Sequence, residues 1–104
     1  MSKIMTEQEW LAQSDKKKNE WLTFNIREYY PRPTEKVSLL NWQGFGMIVE
    51  KADYFYLSKS AISDEYLIAF IKDSIVWQAV APTPWEAAAL AYGKMKGLIK
   101  YGVE

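Results

Sequence analysis

The chain has 104 residues, enough for one hydrophobic core and too few for two, so a single domain is expected. Its 13 basic and 13 acidic residues cancel, which argues against strong attraction to nucleic acid or anionic membranes. It contains no His and no Cys, which excludes Ser–His–Asp triads, Cys–His dyads, disulfide frameworks, thiolate metal sites and the commonest metal ligand.

Apolar residues make up 49% and charged residues 25%, the balance of an ordinary soluble globular protein. Five Trp and seven Tyr allow a dense core in a short chain. The opening Met1-Ser2-Lys3-Ile4-Met5-Thr6-Glu7 lacks the apolar run of a signal peptide, and no stretch reaches the length of a membrane span. A cytoplasmic location is the resulting expectation.

Thr6-Glu7-Gln8-Glu9 reads as a capping box that starts a short helix through Trp10 and Leu11. Ser14-Asp15 offers a second helix start, with Asp15 and Glu20 early in the helix. Over 19–29, Leu22, Ile26 and Tyr29 recur at steps of four and three, flanked by Trp21 and Phe24, as one apolar helical stripe. Pro31 and Pro33 end it, since neither donates a backbone N–H and each restricts its predecessor.

Residues 32–38 read as an exposed connection. Asn41 then caps a helix over 41–52 that places Trp42, Phe45, Val49 and Ala52 on one face. Gly44 and Gly46 each cost that helix about 1 kcal/mol relative to Ala, and close backbone approach to a neighbour is the expected compensation. A strand through this stretch is the alternative.

Three runs, Tyr54–Lys59, Tyr66–Lys72 and Ile75–Ala81, alternate as strands. Residues 60–65 form a longer polar turn and Asp73-Ser74 a tight one, so the runs make an antiparallel meander. Both faces are largely apolar, which predicts cover on each. Thr83-Pro84-Trp85-Glu86 supplies an N-cap, a proline at the first helical position and a capping-box acid. The helix that follows carries Ala88, Ala91, Met95 and Leu98 as one stripe, Lys94, Lys96 and Lys100 toward its end, and Gly102 near its stop. The fold class expected is therefore α+β. A three-stranded antiparallel sheet has N-terminal helices and a C-terminal helix packed on it, covering both faces as an α/β/α sandwich.

Four stretches carry a family resemblance: 14–22 (Ser-Asp-Lys-Lys-Lys-Asn-Glu-Trp-Leu), 42–52 (Trp-Gln-Gly-Phe-Gly-Met-Ile-Val-Glu-Lys-Ala), 66–70 (Tyr-Leu-Ile-Ala-Phe) and 81–90 (Ala-Pro-Thr-Pro-Trp-Glu-Ala-Ala-Ala-Leu). In this order they resemble small phage and prophage proteins described as a phage ABA sandwich or Bacillus phage protein-like fold. The Gly-Phe-Gly-Met helix is the more distinctive part, and Tyr29-Tyr30 departs from the family, where small residues and a Trp are more usual. The resemblance implies a phage or prophage origin and the sandwich fold. It implies no activity, because fold alone does not give function.

The chemistry-bearing candidates each have a plainer reading. Trp42, Phe45, Trp77 and Trp85 could stack a ring, but aromatics at helical and alternating spacing are ordinarily core. Lys16-Lys17-Lys18 could meet phosphate, but Asp15 and Glu20 dilute it and a solvated helix face is the ordinary outcome. Gly44-Phe45-Gly46 lacks the preceding strand and the Lys-Ser/Thr of a phosphate loop. Asp53, Asp64, Glu65 and Asp73 could pair for acid–base work, although turn carboxylates are usually just solvated.

The proline-stiffened loop with Tyr29, Tyr30 and Arg32 matches the composition of interface hot spots, against the plain reading that both tyrosines cap the core. No catalytic residue, metal ligand or cofactor is assigned. The leading expectation is a non-enzymatic phage accessory protein that binds a host or phage protein. One alternative is a nucleic-acid-binding module using Lys16, Lys17, Lys18, Arg27, Arg32 and Lys36. Another is sequestration of a small molecule or nucleotide between helix and sheet. Self-association through the Ala-rich helix or the outer strand Tyr54–Lys59 is a further option, since unprotected strand edges invite pairing.

Overall fold

The computed structural model describes residues 5–26 and 40–100. In chain order these form α1 (Glu7–Leu11), α2 (Asp15–Ile26), α3 (Trp42–Val49), β1 (Tyr54–Lys59), β2 (Tyr66–Lys72), β3 (Ile75–Ala81) and α4 (Pro84–Met95). The strands lie in the order β1-β2-β3, antiparallel throughout. Three strands in an open sheet with N-terminal helices and a C-terminal helix packed on it make an α+β fold, as the periodicities predict.

Local chemistry sets the element ends. Thr6 and Glu9 form the reciprocal capping box of α1, and the Ser14 hydroxyl accepts from the Lys17 amide to start α2. The Asn41 side chain accepts from Gly44 N to start α3, and Thr83 accepts from Glu86 N to start α4. Asp73 and Ser74 both adopt positive φ, 54° and 67°, the left-handed pair that a two-residue hairpin loop requires.

α4 is the centre of the molecule. It packs on β2 and β3 and against α3 and α1, and Pro84 and every residue from Ala87 to Gly93 are buried. The expectation of a single apolar stripe is thus too narrow. A run of alanines lets neighbours approach from all sides. The layers are the sheet, then α4 with α3 beside it, then α1 and α2, which are tied to α4 by Glu7–Lys94, Lys18–Glu86 and a Tyr92 hydroxyl bond to the Asn25 carbonyl. Trp10, Leu22, Ile48, Ile68, Phe70, Leu90 and Ile99 are the large, fully buried side chains of this core.

The helix stops well before Gly102. Lys96 is its C-cap, Gly97 takes φ +76°, and Leu98 N and Gly97 N donate to the carbonyls of Gly93 and Lys94 at 2.7 and 3.2 Å. This is a Schellman closure, which uses glycine for its left-handed residue. The chain then folds back so that Ile99 covers Gly93, where a Cβ would lie 2.5 Å from Ile99 Cδ1. Ile99 also bridges in parallel to Met5, joining the two ends of the described chain.

Candidate functional site

Alternation assigns the strand residues to two faces. One face carries Phe55, Leu57, Ile68, Phe70, Trp77, Ala79 and Ala81 toward α3 and α4, and Ile68, Phe70, Ala79 and Ala81 belong to the buried core. Ile68, Phe70, Ala79 and Ala81 join the α4 alanines in one core cluster between helix and sheet, with Leu57 packed against it.

The other face is built from three cross-strand rows: Tyr54–Ile71–Val76, Tyr56–Ala69–Gln78 and Ser58–Leu67–Val80. None of these nine side chains is charged. Among the described residues no helix packs on it, and the surface is open, with Tyr54 71%, Tyr56 61%, Val80 45% and Val76 42% exposed. Among the described residues, the prediction that apolar character on both faces brings cover to both is not met. The difference has a physical basis: tyrosine presents an apolar ring with a hydroxyl that remains hydrated, so this face tolerates water better than its residue count suggests.

At the β1 side a second apolar patch meets the sheet. Trp42 packs edge-on against Phe45 and Trp85, with ring centroids 5.3 and 5.6 Å apart, and Phe45 packs edge-on against Phe55 at 5.8 Å. Of the aromatics considered as a platform, Phe45 is core, Trp77 and Trp85 are half-buried, and Trp42 stands 59% exposed. Asn41 places Trp42 at the first turn of α3, beyond the face that buries Gly44, Phe45 and Ile48.

The lysine run does not form a phosphate-facing cluster. Lys16 and Lys17 are exposed, but Lys18 is buried, at 6%, with its Nζ 2.6 Å from Glu86 Oε2 and 5.3 Å from the Trp10 ring centroid. Glu86 is drawn away from a full capping box: its Oε1 accepts from the Thr83 hydroxyl at 2.8 Å while Oε2 holds Lys18. Gly46 also departs from expectation, since a Cβ there would meet nothing within 4 Å, and no close backbone approach offsets its cost to α3.

The turn carboxylates divide by local duty. Asp53 accepts from the Asp73 amide and Asp64 pairs with Lys59 at 3.2 Å. Among the described residues no group of His, Cys, Asp or Glu could hold a metal ion, and no helix is long and apolar enough to cross a membrane. The sequence-derived interface candidates Tyr29, Tyr30 and Arg32 lie outside the described residues, as do Arg27 and Lys36.

The strand alternation that builds the open face is visible in the sequence, but which face the helices take is a tertiary fact. Comparison with protein-family models, curated proteins and solved structures finds no match.

Proposed function

We propose that this protein works without catalysis, as an accessory protein that binds another protein through the open face of its sheet. The observation that carries this reading is the three-row surface of Tyr54, Tyr56, Ser58, Leu67, Ala69, Ile71, Val76, Gln78 and Val80, uncharged and in large part exposed. Contiguous apolar surface rimmed by charge marks interaction sites, and tyrosine is enriched among the residues that carry binding energy. By strand alternation Lys59 and Lys72 belong to the opposite, helix-covered face, so the uncharged rows of the open face run out to the turns, where Asp73 stands.

The resemblance to phage and prophage sandwich proteins frames the partner as a host or phage protein that presents a complementary uncharged surface. The absence of His and Cys from the whole chain agrees with a role in binding.

The test compares the protein with Tyr56→Glu, whose exposed position leaves the core untouched, as immobilised baits for lysate of infected cells. A stoichiometric partner retained by the native chain and by Lys16→Glu, yet lost on Tyr56→Glu, is the expected result. An identical set of bound proteins on the Tyr56→Glu bait refutes the reading. Circular dichroism checks that each bait is folded.

A further inference from the structure

The turns at the two ends of the open face carry charge of one sign. Asp73 stands at one end, beside Asp53, whose carboxylate accepts from the Asp73 amide. Asp64 and Glu65 stand at the other, in the turn between β1 and β2. All four are exposed. Nearby lysines are committed elsewhere: Lys59 to Asp64, and Lys94 to Glu7 and the Gln78 carbonyl. Lys72 belongs by alternation to the helix-covered face. Among the described residues neither Glu65 nor Asp73 forms an ion pair, and the two bracket the central row Leu67–Ala69–Ile71.

We propose that the partner meets this face with one cationic amphipathic helix, its apolar stripe on the sheet and basic residues near both of its ends. The proposal rests on the open face being the binding surface and names what binds there. Charge decides against the other occupants. A second copy stacked face to face would set acid against acid whichever way it is turned, because both ends carry the same sign. Nucleic acid and anionic lipid meet the same repulsion. A partner with basic ends is attracted at both.

Residue size selects a helix. β1 contributes Tyr54 and Tyr56, β2 has Ala69 at the middle of its row, and β3 contributes Val76, Gln78 and Val80. The tyrosines therefore border a lower floor over β2 and β3. A helix with its side chains is about 10–12 Å across, wide enough to cover two strands about 4.8 Å apart and lean on the tyrosine rings. An extended segment laid on a sheet face would leave its own N–H and C=O groups unpaired, whereas a helix pairs them internally. The protein covers its opposite face in the same manner, with α4 on β2 and β3. From Glu65 to Asp73 the chain runs about 26 Å at about 3.3 Å per residue, which a helix spans in about 17 residues.

The probes are two synthetic helices of about that length, with the same leucine stripe and no aromatic residue, one ended by lysines and one by glutamates. Each is titrated into the full chain by calorimetry and by amide NMR shifts. The lysine-ended helix is expected to bind about tenfold tighter, with shifts concentrated in 67–71 and 76–80. Glu65→Gln combined with Asp73→Asn keeps both shapes, and asparagine suits the left-handed φ of 54° at residue 73. In that variant the preference should fall to about twofold or less. Equal affinity for the two helices, a preference that survives neutralisation, shifts that map outside the open face, or no binding of either helix would each overturn the proposal. A lysate partner lost on Tyr56→Glu, yet bound with equal affinity by the native chain and the neutralised variant, would overturn it while leaving the proposed function standing.

Discussion

Replacing Glu86 by Gln keeps the side-chain shape and removes one charge, leaving the Lys18 ammonium buried beneath α1 and α4. At the observed 2.6 Å separation, an effective dielectric of about 20 gives an attraction of about 6 kcal/mol. Burying the two ions costs several kcal/mol each, so the intact pair adds little net stability. Removal of one partner is different, because the other ion keeps its burial cost and loses its compensation, and such changes typically cost about 3–5 kcal/mol. Lys18 cannot easily escape to solvent, since Trp10 lies against it and is itself fully buried. Glu86→Gln should therefore lower stability by about 3 kcal/mol and the melting temperature by roughly 12–20 °C for a domain of this size. The double change Lys18→Met with Glu86→Leu should stay within about 1–2 kcal/mol of the native chain, as apolar replacement of a buried pair often does. Urea unfolding followed by Trp fluorescence measures all the variants in a double-mutant cycle. A coupling energy near zero, or a loss below about 1 kcal/mol in Glu86→Gln, would refute the account of a buried, interdependent pair.

Gly93→Ala should cost about 1–3 kcal/mol by overpacking, because the new Cβ would lie 2.6 Å from Ile99 Cγ1 in a site where Ile99 is 1% exposed. In an Ile99→Ala background the same change should cost little more, and additive losses in thermal unfolding would contradict the clash. Gly46→Ala should stabilise by about 1 kcal/mol, since α3 gains helix propensity and the Cβ enters open space; an unchanged or lower urea midpoint would show a constraint beyond that space. Asp73→Asn together with Ser74→Gly should raise stability by about 0.5–1 kcal/mol by relieving two left-handed non-glycine residues, with no gain in melting temperature as the refuting outcome.

Much of this fold is readable before any coordinates are seen, and the readable parts share a cause. The three strand spans and the caps at Thr6, Ser14, Asn41 and Thr83 depend on residues within a few positions of one another. Alternation, a hydroxyl three residues before an amide, and a proline at a helix start act locally, so a linear reading finds them. The tight turn at Asp73-Ser74 is legible for the same reason.

Short-range steric and hydrogen-bonding preferences select the identity and order of the elements and the antiparallel meander, so these can be read along the chain. The tertiary structure alone decided that α4 is enclosed on all sides, that Ile99 returns to cover Gly93, and that Lys18 leaves its basic run to meet Glu86, 68 positions away in the chain. It also decided which apolar face of the sheet the described helices cover and which they leave open. Both faces offer comparable hydrophobic gain in the linear pattern. The choice between them belongs to the packing of α3 and α4, which brings together residues that no local preference connects.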